Sequence, residues 1–429
     1  MNKTLLRGGQ IVGADSWEKA DVMIGITGEI EAIGVIQDHK GADVVDCTGK
    51  LLFPLLIDCH VHFREPGLTH KATIQTESAS ALAGGVGCVC EMPNTIPPTV
   101  TVAALADKVR RAEEADGMNL RFFFGVTEEA HLRTLRDLWT GSSMELKRLK
   151  RHCAGLKLYL DHSTGNQKVD GGIVDEVFKV CAELKIPLVA HCEDSAMNDA
   201  AKLAHAGTDI ALHSLHRPPE SEATSIQEAL VLAKKHGTAL HIAHLSTALG
   251  VELVRKAKKD GIGVTCEASP HHLLLTTDDY ASLGALGKMN PPLRSRTDCD
   301  ALWAGLKDGM VDCIATDHAP HTLEEKKVAE PLTAPSGVPG VETMLPLLLT
   351  EAAQKKISYA DILRVCFTNP NRIFGLHQPE IAEKSLARIA VIDPAKEWVI
   401  DGKTLKSKCG WTPFQGRKVT GAVERIIAH

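Results

Sequence analysis

Eight short apolar or β-branched runs recur along the middle of this 429-residue chain, separated by longer stretches with helical spacing. That alternation constrains the fold more than any other feature. The runs are LLFPLLIDCHVHF (51–63), GVGCVCEMPN (85–94), RFFFGVT (121–127), AGLKLYL (154–160), IPLVAHCED (186–194), ALHIAHLS (239–246), GVTCEASPHH (263–272) and VDCIATDHAPH (311–321). Between them, VAALADKVRRAEEA (102–115), IVDEVFKVCAELK (173–185) and IQEALVLAKKHG (226–237) carry apolar residues at helical period. Strand and helix repeated in this way predict an α/β fold, a (β/α)8 TIM barrel over residues 54–383. Residues 3–50 and 384–429 instead read as short strands with turn signals, each too poor in apolar surface to fold alone. Residues 1–53 and 384–429 are therefore expected to combine into one small β-sandwich beside the barrel.

The side chains able to do chemistry cluster at the C-terminal ends of these runs, where barrel active sites form. In DCHVHFREPG, alternation along a strand puts His60, His62 and Arg64 on one face. Asn94 ends the second run, His191 the fifth, His244 the sixth, and Asp317 and His321 the eighth. Any one histidine in a strand is more often a core residue than a ligand. Four histidines and an aspartate at the same end of one barrel fit two divalent ions, and zinc is the metal this donor set suits best.

In GLKLYL, alternation turns Leu156, Leu158 and Leu160 to one face and Lys157 with Tyr159 to the other, which points the lysine into the barrel. A salt-bridged lysine is the plain reading. Burial favours the neutral amine, however, and a neutral amine can take up carbon dioxide to become an anionic carbamate able to bridge two metals. Asp317 has a plain reading as a turn cap, and a chemical one as a base that accepts a proton from water and returns it to a leaving nitrogen. Arg64 is either a solvated surface residue or, with Asn94 and His321, a clamp for a carboxylate.

Composition narrows the partners. The formal charge of −6 is spread along the chain without a basic block, so nucleic acid is not expected. The longest apolar stretches are too short to cross a bilayer, and the N-terminus lacks a signal-peptide core, so a cytoplasmic protein with no membrane partner is expected. The twelve cysteines are scattered, without a C-x-x-C pair, and read as small core residues. Cys192 follows a motif histidine, but alternation turns it away from that histidine's face.

HVHFREPG, EMPNTIPPT, GLKLYL, VAHCED, HIAHLS, CEASPHH, KMNPPLR and ATDHAPHTLEEK, in this order, resemble the dihydroorotases of the amidohydrolase superfamily, in particular the dihydroorotase domain of the animal multifunctional pyrimidine-synthesis enzyme. The likeness runs from about His60 to Leu376. It implies two Zn2+ ions per chain, one held by His60 and His62 and the other by His191 and His244. A carboxylated Lys157 (N6-carboxylysine) would bridge them, and Asp317 would be both ligand and catalytic base. It also implies that Arg64, Asn94 and His321 hold the substrate carboxylate while Asn290, Ser336 and Gly337 touch the ring. The implied reaction is the reversible closure of N-carbamoyl-L-aspartate to L-dihydroorotate plus water, in pyrimidine biosynthesis. A homodimer, and association with aspartate transcarbamoylase, are expectations of the same kind.

Three departures qualify the likeness. Leu55 stands where the family commonly has glycine. Ala243 precedes His244 where the animal enzyme has cysteine, which puts an extra zinc there in doubt. DHSTGNQ (161–167) reads as a short closing loop in which Ser163 or Thr164 contributes a hydroxyl. The competing readings are a hydantoinase-like or allantoinase-like cyclic-amide hydrolase and a non-catalytic scaffold for a neighbouring pyrimidine enzyme.

Overall fold

The computed structural model describes residues 2–13, 17–161, 167–169 and 171–428. Five strands come first: β1 (Lys3–Val12), β2 (Trp17–Ile24), β3 (Ile30–Gly34), β4 (Ala42–Asp46) and β5 (Leu51–Pro54). Eight follow in the middle of the chain: β6 (Leu56–Val61), β7 (Val86–Glu91), β8 (Asn119–Gly125), β9 (Cys153–Tyr159), β10 (Leu188–His191), β11 (Leu240–Ile242), β12 (Val264–Ala268) and β13 (Cys313–Ile314). Two long strands, β14 (Arg388–Val399) and β15 (Lys418–Ala428), close the chain.

β6 to β13 form one parallel sheet in sequence order. Its two edges nearly meet. The His62 amide donates to the His318 carbonyl at 2.7 Å, and the Thr316 amide donates to Asp58 Oδ1 at 3.0 Å. This is the (β/α)8 barrel expected from the alternation. Helices cover its outside, so both faces of each strand are buried and the strands read as continuous apolar runs. Phe122, Phe123 and Phe124 of β8 are all fully buried, and Phe123 meets Phe374 edge to face at 5.6 Å between ring centroids.

The helices begin where their capping residues dictate. Thr73 caps Ile74–Ala83 with a reciprocal capping box, and Thr101 accepts from the Ala104 amide to start Val102–Ala112. The helix expected at 226–237 starts earlier, running Pro219–His236, because Pro219 is preset for a first helical position and acidic Glu220 and Glu222 follow it. Its polar first turns hide the apolar period.

The terminal strands pair into one small unit built from both ends of the chain, as expected, a mixed sheet of seven in the order β15-β14-β5-β1-β2-β3, with β4 also on β1. It bends over a small core of its own that includes Leu6, Val22, Ile24, Leu52, Ile389 and Val391. The run 51–63 is thus two strands, β5 in this sheet and β6 in the barrel, switching at Leu55. The segment between β14 and β15 reaches back over the barrel. Trp411 Nε1 donates to the His321 carbonyl at 2.8 Å. Buried Glu77 accepts from the Ser407 hydroxyl at 2.6 Å and from His318 Nε2 at 2.8 Å.

All twelve cysteines are free and buried, as core residues should be. No helix among the described residues is long and apolar enough to cross a membrane. The loop expected to close the site, with Ser163 and Thr164, lies outside the described residues.

Candidate metal centre and active site

The expected strands run past their ends: β6 stops at Val61, β10 at His191, β11 at Ile242 and β13 at Ile314. Arg64, His244 and Asp317 then take left-handed backbone, with φ of 67°, 33° and 46°. For residues with a Cβ such conformations cost of order 1–3 kcal/mol each and persist where the surroundings enforce them. Arg64 therefore reaches the site through a turn and not by strand alternation.

One pocket at the C-terminal end of the barrel is lined by His60, His62, Arg64, Asn94, His191, His244, Asn290, Asp317, Ser336 and Gly337, together with Tyr159 and Ala319. Two expected residues lie just outside that lining. Lys157 is fully buried, with Nζ 5.1 Å from the Tyr159 ring centroid, and His321 is buried behind Arg64, its Nε2 3.2 Å from Arg64 Nη2.

One side of the pocket gathers lone pairs. Glu267 accepts from His60 Nδ1, and Asn94 Oδ1 accepts from His62 Nδ1 at 2.6 Å. Those bonds put the protons on Nδ1 and turn both Nε2 lone pairs toward Asp317 Oδ1, at 3.3 Å from His60 and 3.0 Å from His62. Burial lowers the His62 pKa to about 4, against the pull of Asp317. Three acceptors around one point are satisfied by a cation.

The second half is built alike. His191 Nε2 bonds Glu193 at 2.8 Å, so its Nδ1 lone pair faces His244 Nε2 at 2.9 Å. His244 Nδ1 and Lys157 Nζ are buried without a hydrogen-bond partner among the described residues. An unpaired buried ammonium is costly, and burial lowers the Lys157 pKa to about 8 although Glu267 and Asp317 oppose it. His60, His62 and Asp317 form a group that could hold a metal ion, and His191, His244 and Lys157 stand close by in the same barrel end.

The other side gathers donors. Arg64, 2% exposed and so no surface residue, donates from Nε to the Pro320 carbonyl at 3.0 Å. Burial lowers its pKa to about 10, against the pull of Asp317, and it stays a cation. Asn94 lines the same pocket, with its side-chain oxygen engaged by His62 Nδ1. Lys326, also buried, donates to the carbonyls of Lys288, Pro335 and Gly337 at 3.0, 2.9 and 3.1 Å, tying together the loops that carry Asn290, Ser336 and Gly337. Gly337 has φ of 140°, and a Cβ there would lie 2.7 Å from the Ala319 carbonyl oxygen and 3.0 Å from His321 Nε2. No other residue fits.

Sequence reasoning passed over four residues. Glu193 stands two positions from His191, where alternation could have found it, and Tyr159 was placed on the Lys157 face by alternation but given no role. The Tyr159 hydroxyl is buried in the pocket wall without a partner among the described residues. Glu267 is an acid inside a buried strand, a signal in itself. It also accepts from His241 Nε2 at 3.1 Å and from the His244 amide at 3.2 Å, so one carboxylate steadies both halves of the cage. Lys71 carries no sequence signal.

The amidohydrolase family profile matches residues 51–428. A dihydroorotase of Halobacterium salinarum is 40% identical over 390 residues, which is 90% of this chain and 87% of that protein. One of Bacillus subtilis is 38% identical over 427 residues, 99% of this chain and 96% of that protein. Among solved structures, the L-hydantoinase (dihydropyrimidinase) of Arthrobacter aurescens superposes with a TM-score of 0.92 at 28% identity, over 100% of this chain and 96% of that one. The dihydropyrimidinase of Brevibacillus agri gives 0.90 at 26% identity, over 99% and 94%.

Proposed function

The chain belongs to the amidohydrolase family, and from that premise we infer that it is a dihydroorotase, closing N-carbamoyl-L-aspartate to L-dihydroorotate and reopening it. One observation carries the reading beyond the family: a lone-pair cage and a cluster of donors face each other across one pocket, as a cyclic amide with an exocyclic carboxylate requires. Hydantoins need no such carboxylate, which favours dihydroorotase over the activity named for the solved relatives.

We propose that His60, His62, His191, His244 and Asp317 hold two zinc ions, with Lys157 as a bridging carbamate. When bound, the ions supply Lewis acidity that polarises the ring carbonyl and makes water a better nucleophile at neutral pH. Arg64, Asn94 and His321 hold the exocyclic carboxylate, which fixes the ring with its scissile amide toward Asp317. Asn290, Ser336 and Gly337 border the ring. In the opening direction Asp317 accepts a proton from the attacking water and delivers it to the departing ring nitrogen. Closure reverses these transfers. Residues 54–383 form the proposed catalytic unit, with 1–53 and 384–429 as its clasp, in a cytoplasmic enzyme of pyrimidine synthesis.

The test is hydrolysis of L-dihydroorotate by the purified protein at alkaline pH, with metal counted in the same sample and hydantoin and allantoin run beside it. The expected result is activity on dihydroorotate alone with about two metal ions per chain. Metal without that activity would move the substrate to another cyclic amide or leave a scaffold. Closure consumes one carboxylate charge and one proton, so acid should shift the equilibrium toward dihydroorotate and alkali toward the open form. An opposite shift excludes this substrate pair.

A further inference from the structure

The neighbours of His321 decide which of its nitrogens carries the proton. Burial, reinforced by the cations Arg64, Lys71 and Lys326, holds its pKa far below the ordinary histidine range, so the ring is neutral and one nitrogen has a lone pair. Lys71 Nζ lies 3.0 Å from Nδ1 and 2.9 Å from Glu325 Oε1. Burial pulls the Lys71 pKa down, and the Glu325 carboxylate opposes this and favours the charged form. An ammonium only donates, and the Ser336 carbonyl, 3.1 Å from Nε2, only accepts.

A proton on Nε2 satisfies both contacts. A proton on Nδ1 would set donor against donor at Lys71 and lone pair against lone pair at Ser336. The Nε2–H form leaves one juxtaposition unresolved: Arg64 Nη2, another donor, is 3.2 Å from Nε2. Two donors side by side call for a shared acceptor, and a carboxylate is one.

We propose that Lys71 is a positioning residue for substrate recognition. Anchored by Glu325, it donates to His321 Nδ1 and fixes the Nε2–H tautomer, so that the single His321 proton, held by the Ser336 carbonyl in this structure, can be shared with an exocyclic carboxylate bound beside Arg64 Nη2. Lys71 does not line the pocket and acts through His321. The identity of the carboxylate rests on the dihydroorotase reading; the tautomer rests on the contacts and burial of His321.

Two measurements on the metal-loaded enzyme test it. In protein labelled with 15N-histidine, the His321 signals are those lost in His321→Asn. They should show an unprotonated Nδ1 and a protonated Nε2 in the parent, and a changed Nδ1 environment in Lys71→Met. In kinetics, Lys71→Met should raise KM for L-dihydroorotate about tenfold while kcat, metal content and melting temperature hold. Lys71→Arg, which keeps a charged donor, should restore most of the affinity. A protonated Nδ1 in the parent, an unchanged KM in Lys71→Met, or a fall in kcat accompanied by metal loss would each overturn the inference. An enzyme inert toward dihydroorotate but with the expected tautomer would instead sink the substrate reading and leave the Lys71–His321 pair standing.

Discussion

The two sides of the pocket are built from the same materials to opposite ends. On the cage side, buried carboxylates and an amide oxygen occupy one nitrogen of three of the four candidate ligand histidines and push the other lone pair inward. On the clamp side, a buried ammonium occupies one nitrogen of His321 and pushes a proton inward. The neighbour that takes the far nitrogen thus decides whether a histidine greets a cation or an anion. Lesions on the two sides should consequently differ in kind: cage lesions in metal and turnover, clamp lesions in substrate affinity.

The largest expected effect is that of Lys157→Ala, which should strip metal and nearly all activity. Normal metal content and turnover would remove the carbamate and undo the cage as drawn. Asp317→Asn keeps the shape of the side chain but not its basicity, and should lower kcat by roughly 100- to 10,000-fold; single-turnover rates at matched metal loading measure it. Arg64→Met should break the clamp alone, lowering kcat/KM for dihydroorotate by about 100-fold, chiefly through KM, with metal content intact. If metal leaves as well, the two sides are not separable. Smallest is Glu267→Gln, expected to weaken metal affinity by about tenfold in chelator competition. Because Glu267 touches both His60 and His244, both ions should loosen together. Loss of one ion alone would show that the halves are steadied separately.

The barrel and the histidines gathered at one end of it were legible because a parallel strand announces itself as an apolar run and barrel chemistry sits at its C-terminal end. His60, His191 and Asp317 could be read in that way. The exact strand ends could not, since the chain leaves the ladder early through left-handed residues that have side chains, where a sequence reader expects glycine or asparagine. Glu267 could be flagged as an acid in a buried strand but not paired, and Lys71 not flagged at all, because each acts on a histidine about 200 residues or more away in the chain, and no local pattern encodes such a partner. The terminal unit holds together as one sheet because β1 is long enough to pair with β4 along its first half and β5 along its second.

The clasp between β14 and β15 also bears on synthesis. Ser407 and Trp411 brace Glu77, His318 and the His321 carbonyl, yet they leave the ribosome after every ligand and every clamp residue. Domains tend to form from the N-terminus as the chain emerges, so a nascent barrel can gather its histidines while the loops beside Asp317 and His321 still lack their outer support. Competence therefore arrives last, with the final two strands, and a prematurely released chain would carry the right residues in a site that has not set.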